Sequence, residues 1–411
     1  MKAEIITIGD EILIGQVIDT NSAYIAQIVN EIGIGIYRIT SVSDTLDEIK
    51  AAFAESAQRV SIVFITGGLG PTNDDRTRTA IKEYFNSKFS INEGVLEHIK
   101  ELLQKRGVMM NERNQDQALV PDNCRIIKNR LGTAPGLWFE KEGCTYIFMP
   151  GVPFEMKAIM EDLLPDLRNK YGSPSIIHRT IHTHGIAESA LAKSISEWEK
   201  KLPKNVSLAY LPSPGMVRLR LSGNNTSDNS QYIAINKEIE KLQEIIPEYI
   251  FGYDLDTMET VIGRLLLEKA ASLATAESCT GGAIAAMITT VPGSSRYFKG
   301  SVIAYSNDIK EEILGIDKQL IITHGAVSSQ VAEAMAVGAR KILNTDYAIS
   351  TTGIAGPDGG SAEKPVGTVW IAVAGPEGVR SRLFRFGDER GRNIARTAYS
   401  ALNELRKRLV L

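Results

Sequence analysis

Ser278 stands where a short apolar run meets a pair of glycines, within Thr-Ala-Glu-Ser-Cys-Thr-Gly-Gly at residues 275–282. The run at 272–276 predicts a buried strand, and residues 282–290 predict an alanine-rich helix. The serine would lie at a strand-to-helix turn, where free backbone N–H groups of the first helical turn can hold an oxyanion or a phosphate. Such a serine can be a nucleophile if a base is near. It can also be an N-cap before a tight glycine turn, which this octapeptide alone favours.

Polar side chains also follow two later strands. Residues 300–310 predict a strand that runs into a loop or a helix start, and they carry Tyr305 and Lys310. Residues 347–357 predict a second apolar strand that runs into a glycine-rich turn and carries Thr352. Open parallel sheets bind ligands at the carboxyl ends of their strands. No histidine in this part of the chain is well placed as a base, but a lysine can take that role when burial and neighbours lower its pKa.

The N-terminal third has a second set of strands that end in polar turns. A strand at 3–8 runs into Asp10, and a strand at 60–66 runs into Gly-Gly-Leu-Gly at 67–70. An amphipathic helix at 21–31 lies between them, so the alternation predicts a parallel sheet with both faces covered. The glycine turn lets backbone N–H groups approach a phosphate closely.

Three aspartates of this third, Asp10, Asp44 and Asp75, could hold a magnesium-like cation between diphosphate oxygens. Each of them alone is more often a turn or N-cap residue. The glycine-rich turn together with the acidic pair that follows it favours a functional site over that structural explanation.

Composition and charge bound the class of protein. A length of 411 residues predicts two to three domains, and 43% hydrophobic with 23% charged residues is ordinary for a soluble globular protein. A formal net charge of −3 gives no basic field that would favour nucleic acid as a partner. The three cysteines show no CxxC spacing, which predicts a reducing compartment and no zinc site. Without a signal-peptide pattern or an apolar run of membrane-spanning length, we expect a cytoplasmic protein with no membrane partner.

The middle of the chain, at 171–253, predicts a small two-layer α/β unit with the order β-α-β-β-α. Apolar residues repeat at helical spacing in 187–200 and again in 230–246. His178, His182 and His184 share one strand face, but a metal site would need more than this, so an ordinary strand is favoured. The unit lacks the Gly-x-x-Gly loop of RNA-binding KH modules, which favours a spacer or an oligomerisation element.

Residues 259–411 resemble the CinA C-terminal domain, the family of nicotinamide-nucleotide amidohydrolases. The resemblance rests on the octapeptide around Ser278, on Tyr305 followed five residues later by Lys310, and on Thr-Gly-Ile-Ala-Gly-Pro at 352–357. It implies that Ser278 is the nucleophile and Lys310 the general base. It also implies that Tyr305 and Thr352 are supporting polar groups.

The same resemblance implies an arginine near the last helix that holds the substrate phosphate, and Arg390 and Arg392 are both candidates. The reaction it implies is deamidation of nicotinamide mononucleotide to nicotinic acid mononucleotide and ammonia, without a cofactor. Backbone N–H groups around 279–281 would stabilise the oxyanion. The other residues that it implies for substrate binding are Cys279, Thr280, Gly281, Gly353, Ala355 and Gly356.

Residues 1–170 resemble the molybdopterin-binding fold, and more closely the CinA N-terminal domain. The motifs are Gly-Asp-Glu at 9–11, Asp-Thr-Asn-Ser at 19–22, Asn-x-x-Asn-x-x-Gln-Ala at 111–118, Gly-Thr-Ala-Pro-Gly at 132–136 and Pro-Gly-Val-Pro-x-Glu-Met at 150–156. Leu69 stands where a molybdopterin enzyme normally has threonine, which favours the CinA-type activity, a metal-dependent ADP-ribose pyrophosphatase. The residues predicted to bind that substrate are Gly67, Gly68, Leu69, Gly70, Pro71, Thr72 and Asn114.

The sequence therefore predicts an α/β protein with a molybdopterin-binding-like three-layer α/β domain at 1–170, a KH-type α/β middle domain at 171–253 and an α/β CinA amidase domain at 254–411. The resemblance implies a bifunctional enzyme of pyridine nucleotide recycling. Its small-molecule partners would be nicotinamide mononucleotide and ADP-ribose, its N-terminal cofactor a divalent ion such as Mg²⁺, and its assembly a homodimer. Two alternatives stay open: a non-catalytic, competence-related binding or regulatory protein, and a molybdopterin-processing N-terminal domain.

Overall fold

The structure is a computed structural model that describes residues 1–70, 76–172, 176–213, 215–224 and 229–410. The chain divides into two compact units, Met1–Ile177 with Asn224–Ser230, and His178–Gly223 with Gln231–Leu411. In the part of the chain that the structure describes, no helix is both long enough and apolar enough to cross a bilayer.

The first unit is a mainly parallel sheet with helices on both faces. Its strands are β1 (Lys2–Ile8), β2 (Gly35–Val42), β3 (Ile62–Thr66), β4 (Phe89–Ile91), β5 (Leu119–Pro121), β6 (Arg125–Ile127), β7 (Gly136–Lys141) and β8 (Cys144–Met149). Its helices are α1 (Asp10–Leu13), α2 (Thr20–Asn30), α3 (Leu46–Ala57), α4 (Thr77–Tyr84), α5 (Glu93–Lys105), α6 (Glu112–Asp116) and α7 (Pro153–Tyr171). The main sheet has the order β2-β1-β3-β8-β7-β6. Strands β2, β1, β3 and β8 are parallel, β7 pairs antiparallel with β8, and β6 pairs antiparallel with β7.

Strand β1 contributes to two cores because successive side chains of a strand point to opposite faces of the sheet. Ile6 packs in the core that contains Phe53 of α3, whereas Ile5 packs in the core that contains Ile25 of α2 and Met156 of α7. Every residue of β3 is buried, as a parallel strand covered on both faces requires. These two cores confirm the predicted three-layer α/β architecture.

The second unit begins with a four-stranded sheet of order β10-β11-β9-β12. Its elements are β9 (Ile176–His184), α8 (Glu188–Glu199), β10 (Val206–Ser213), β11 (Met216–Asn224), α9 (Ser230–Ile245) and β12 (Ile250–Tyr253). The predicted order β-α-β-β-α is present, and β12 completes the sheet. Two of the three histidines on the predicted face make ordinary hydrogen bonds: His178 Nδ1 lies 2.6 Å from Ser222 Oγ, and His182 Nε2 lies 2.9 Å from the Asp254 main-chain oxygen. His184 is buried.

The rest of the second unit is a five-stranded sheet of order β14-β13-β15-β16-β17. Its strands are β13 (Leu273–Glu277), β14 (Phe298–Ile303), β15 (Tyr347–Gly353), β16 (Thr368–Gly375) and β17 (Gly378–Arg385). Its α-helices are α10 (Met258–Glu268), α11 (Ala283–Thr289), α12 (Asn307–Glu312), α13 (Lys318–His324), α14 (Ser329–Ile342) and α15 (Arg390–Val410). Strand β13 runs parallel to both neighbours, so β13, β14 and β15 end at the same edge of the sheet.

The two sheets of the second unit are joined through the last helix. Arg406 of α15 is buried and donates hydrogen bonds to the main-chain oxygens of Ile250, at 3.1 Å, and Glu248, at 3.1 Å. Phe251 of β12 packs in the same core as Leu402 and Leu405 of α15. The middle strands therefore share their packing with the C-terminal sheet.

Candidate active sites

A cavity of about 290 Å³ lies at the carboxyl ends of β13, β14 and β15. Ser278 is the first residue after β13, Tyr305 follows β14 by two residues, and Thr352 is the penultimate residue of β15. The parallel strands thus bring together groups that are far apart in the sequence. The predicted residues that line this cavity are Ser278, Cys279, Tyr305, Lys310, Thr352, Gly353, Ala355, Gly356 and Arg390.

Lys310 is the base candidate that the structure places beside the serine. Its Nζ lies 3.4 Å from Ser278 Oγ and donates to the Ala304 main-chain oxygen at 2.8 Å. The residue is only 1% exposed, and among the described residues no carboxylate pairs with it. Burial lowers the pKa of this amine because desolvation penalises its charged form. A neutral Lys310 amine can accept the proton of the Ser278 hydroxyl.

The turn after Ser278 differs from the sequence prediction, because the N–H groups that open α11 are not free. The Glu277 carboxylate accepts hydrogen bonds from the N–H groups of Gly282, at 3.0 Å, Ile284, at 3.1 Å, and Ala285, at 2.9 Å. A carboxylate at a helix N-terminus satisfies orphan donors and the helix dipole. An oxyanion or phosphate would therefore find the start of this helix already occupied.

Two backbone N–H groups of this turn remain as candidate donors to an oxyanion, because the third is already hydrogen-bonded. Gly281 N–H already donates to the Ser278 main-chain oxygen at 3.1 Å. Within the described chain, the N–H groups of Cys279 and Thr280 donate to no other group. Of these residues Cys279 lines the cavity, whereas the predicted residues Thr280 and Gly281 are not part of its lining. The Cys279 amide is thus the better placed of the two for a substrate oxygen.

The hydroxyl groups of the predicted threonines, Thr352 and Thr280, form hydrogen bonds that join neighbouring segments around the cavity. Thr352 Oγ1 donates to the Ala326 main-chain oxygen at 2.8 Å, which ties β15 to the segment before α14. Thr280 Oγ1 lies 2.7 Å from Thr351 Oγ1, so this pair joins the ends of β13 and β15. Both predicted threonines are almost completely buried.

Arg390 and Arg392 lie in different environments. Arg390 lines the cavity, where it donates to the Gly356 main-chain oxygen at 2.8 Å and to Tyr305 Oη at 3.1 Å. Arg392 Nε instead lies 3.3 Å from a carboxylate oxygen of Glu389, and its side chain is 74% exposed. Of the two predicted arginines, Arg390 is therefore the one that the structure places at the cavity.

The sequence analysis did not predict three polar residues around this cavity. Asn307 and Asp358 line it, and Glu277 supports the turn from beneath. Glu277 had a signal, since it lies in the octapeptide of Ser278, but a carboxylate at the end of a strand is ordinarily read as solvent-exposed. Asn307 is the first residue of α12 and Asp358 lies in a loop, and the position of both depends on tertiary packing.

A second cavity, of about 400 Å³, lies in the first unit and is lined by the glycine turn at 67–70. Gly67 has φ of +110°, and a Cβ there would lie 2.1 Å from the Ile8 main-chain oxygen. Gly68 has φ of +65°, and its Cβ would lie 2.0 Å from Thr77 Oγ1. Only glycine fits at both positions, so the backbone itself forms this wall. Leu69 and Gly70 line the cavity as well.

Two of the three predicted metal ligands lie close together. The N–H of Asp10 is 3.4 Å from Asp44 Oδ2. Asp75, together with Pro71 and Thr72, lies outside the described residues. The ranges that the structure describes contain no group of three or more His, Cys, Asp or Glu residues that could hold a metal ion.

Asn114 has a different place from the one predicted for it. It is the N3 residue of a capping box in α6, where it exchanges hydrogen bonds with Asn111. The cavity is instead lined by Asn21 and Gln117, which the sequence prediction did not include. Asn21 Nδ2 donates to Thr66 Oγ1 at 3.0 Å and to the Gly151 main-chain oxygen at 2.8 Å. The Asp-Thr-Asn-Ser motif was the signal that could have pointed to it.

Comparison with known proteins covers the whole chain. Residues 255–409 match the family model described as the CinA C-terminal domain, residues 4–169 the probable molybdopterin binding domain, and residues 178–252 the damage-inducible protein CinA KH domain. A CinA-like protein of Flavobacterium psychrophilum is 48% identical over 100% of this chain and 99% of its own length. A CinA-like protein of Cytophaga hutchinsonii is 46% identical over 99% and 98%, respectively.

The chain belongs to the CinA family. A putative competence-damage inducible protein of Caldicellulosiruptor bescii is also similar, at 39% identity over 100% of both chains. Membership confirms the predicted mixed α/β fold with a molybdopterin-binding-like N-terminal part, a KH-like middle and a CinA C-terminal part. The CinA and molybdopterin-binding domains are consistent with an enzyme.

Proposed function

We propose that this CinA-family protein removes ammonia from the carboxamide of nicotinamide mononucleotide at the Ser278 cavity. The observation that carries the proposal is the buried Lys310 amine, 3.4 Å from Ser278 Oγ. An amine with a lowered pKa beside a hydroxyl is the arrangement that general-base activation of a serine needs. A metal is not required for acyl transfer by a serine nucleophile.

The reaction would proceed through an acyl-enzyme. Ser278 Oγ attacks the carboxamide carbon while neutral Lys310 accepts the hydroxyl proton. The N–H groups of Cys279 and Thr280 stabilise the charge that develops on the amide oxygen. Lys310 then gives its proton to the leaving nitrogen, and the C–N bond breaks to release ammonia. Water hydrolyses the ester to nicotinic acid mononucleotide and restores the serine.

Arg390 would bind the phosphate of the substrate at the side of the cavity that Tyr305 and Gly356 border. Arg390→Gln should raise KM for nicotinamide mononucleotide about 10–100-fold, since a hydrogen bond to a charged group contributes about 1.5–3 kcal/mol. Arg392→Gln is the matched control and should leave KM within about twofold, because exposed ion pairs contribute little. Steady-state ammonia release measures both. A larger effect of Arg392→Gln would reverse the assignment.

For the first unit we propose metal-dependent hydrolysis of ADP-ribose at the glycine-turn cavity. The backbone of residues 67–70 would bind a phosphate group. Asp10 and Asp44 do not line this cavity, but they lie next to each other, and the carboxylates of Glu11, Asp19 and Glu155 do line it. Carboxylate oxygens are the ligands that Mg²⁺ takes together with waters and substrate phosphates, so these residues would suit a hard divalent ion. Such an ion would neutralise the diphosphate oxygens and lower the pKa of a bound water.

The two activities should separate with a chelator. EDTA should stop ADP-ribose hydrolysis, leave ammonia release from nicotinamide mononucleotide unchanged, and be reversed by added Mg²⁺. Asp10→Asn should slow ADP-ribose hydrolysis at least about tenfold, since it removes a charged ligand. Asp47→Asn is the control, because the Asp47 side chain is 99% exposed on α3. Full ADP-ribose hydrolysis in EDTA would remove the metal from the mechanism.

The rival functions give different products in the same assay. A regulatory protein, as the competence-damage name of one relative suggests, would turn over neither nucleotide. A molybdopterin-processing N-terminal domain would leave ADP-ribose intact, and Leu69 counts against it. Incubation with both nucleotides, with products resolved by mass, therefore tests the whole proposal.

A further inference from the structure

We propose that Glu277 is a positioning residue that holds the Ser278 turn in its reactive shape. Its carboxylate would fix the turn so that the Ser278 hydroxyl meets Lys310 and the N–H group of Cys279 points into the cavity. The inference rests on the proposed deamidation and adds to it a residue that does not touch the substrate.

Burial is the first observation behind this role. Glu277 is 0% exposed although it carries a carboxylate, and burying such a group is costly unless it is fully hydrogen-bonded. Three backbone N–H groups of the turn and α11 donate to it, at 2.9–3.1 Å. Thr275 Oγ1, two residues earlier on the same face of β13, donates at 3.3 Å. The carboxylate is thus clamped between the last strand residues and the helix.

The second observation is that the two glycines of the turn leave its backbone few conformational restraints of its own. Gly281 and Gly282 have φ of +59° and +100°, and a Cβ at Gly281 would meet nothing within 4 Å. Glycines at such positions restrict the chain little. Other anchors of the segment lie on its strand side: the Ser278 N–H donates to the Thr351 main-chain oxygen at 2.9 Å, and the Thr280 and Thr351 hydroxyls form a pair. Glu277 therefore fixes the side of the turn that faces the helix.

The third observation is the occupation of the helix start. The Glu277 carboxylate takes the N–H groups of Gly282, Ile284 and Ala285, so these donors are not available to a substrate phosphate. Arg390, which lines the cavity, keeps that role in the proposed reaction.

The test compares Glu277→Gln with a control carboxylate at the opposite end of the sheet. Glutamine keeps the volume, but its NH₂ group would face backbone donors. Loss of one oxyanion donor costs about 10²–10³-fold in kcat, so partial displacement of the turn should lower kcat about 30-fold while KM stays within about threefold. Asp346→Asn is the control, because Asp346 accepts from Ser272 N–H at 2.8 Å and from Ser272 Oγ at 2.7 Å before β13 begins. It should lower the thermal midpoint and leave kcat within about twofold.

A fluorophosphonate probe separates this inference from the choice of substrate. Ser278 Oγ attacks its phosphorus, fluoride leaves, and Lys310 takes the proton, so the rate of labelling reports on the turn without nicotinamide mononucleotide. Glu277→Gln should label about 30-fold more slowly than the wild-type protein. If wild type is labelled but releases no ammonia, the substrate proposal fails and the labelling rates still decide the role of Glu277.

Equal labelling and equal kcat in Glu277→Gln and wild type would overturn the inference. A wild-type protein that neither labels nor releases ammonia would overturn it together with the nucleophile. If Glu277→Gln does not fold, Thr275→Val takes its place, since it removes one donor to the carboxylate at nearly constant volume. That variant should lower kcat about threefold with KM unchanged, and an unchanged kcat would contradict the proposal.

Discussion

Replacing Ser278 with alanine should abolish ammonia release from nicotinamide mononucleotide and leave ADP-ribose hydrolysis unchanged. The variant removes the oxygen that forms the acyl-enzyme, and losses of about 10³-fold or more in kcat accompany removal of a nucleophile. The fold should survive, because the hydrogen bond that Ser278 Oγ makes within the described residues is a long one, from Lys310 Nζ at 3.4 Å. Ammonia release and ADP-ribose loss, measured on one preparation, test both halves of this expectation.

Ser295→Ala is the matched control for that experiment, since Ser295 is an exposed serine of the same unit. It should keep both activities. Deamidation at a near wild-type rate in a folded Ser278→Ala protein would end the serine mechanism. Loss of ADP-ribose hydrolysis in the same variant would show that the two activities are not independent.

Replacing Lys310 with methionine should have opposite effects on rate and on stability. The rate of deamidation should fall about 10²–10⁴-fold, as for other lost general bases. The free energy of unfolding should rise, because methionine fills a similar volume without a buried amine whose charge is penalised by desolvation. Lys299→Met, at an exposed position on β14, is the control and should change neither quantity appreciably.

The pH dependence of the wild type follows from the same lowered pKa. Lys310 must lose its proton to act, so kcat/KM should rise with pH through the lowered pKa and level off below the ordinary lysine pKa of about 10.4. In that window the unfolded chain binds a proton that the folded chain does not, so the free energy of unfolding also rises with pH. Lys310→Met should remove this contribution to both profiles. A kcat/KM profile that shows no such limb would place the base elsewhere, with Tyr305 the next to test.

The elements around the site were predictable from sequence because their signals are local. The apolar run before Ser278 and the run before Gly353 are continuous, as buried central strands are, and both are strands in the structure. The parallel-sheet rule then predicts that their ends meet. The glycine turn at 67–70 was also predictable from sequence, because the positive φ angles of Gly67 and Gly68 favour glycine there.

The side-chain partners were not predictable, because they depend on packing between distant segments. Arg390 is held at the cavity by the Gly356 main-chain oxygen and the Tyr305 hydroxyl, which lie 34 and 85 residues away from it in the sequence. Glu277 reads as an exposed carboxylate until the position of α11 is known. Asn114 lies in the same motif, at 111–118, as the cavity residue Gln117. Its side chain instead forms a capping box with Asn111 at the start of α6.

The guanidinium of Arg406 has a consequence for how the protein unfolds. Three acceptors surround this cation: the main-chain oxygens of Glu248 and Ile250, and Asn403 Oδ1 at 3.0 Å. Separating β12 from the last helix would remove the two main-chain acceptors from the Arg406 guanidinium and expose Phe251 to water. Leaving a buried charge without its partners is costly. Heat or denaturant should therefore unfold the KH-like strands and the sheet of the CinA C-terminal part in one cooperative transition. The boundary between the two family models, at residues 252–255, therefore lies inside one compact unit, and we expect the parts on its two sides to unfold together.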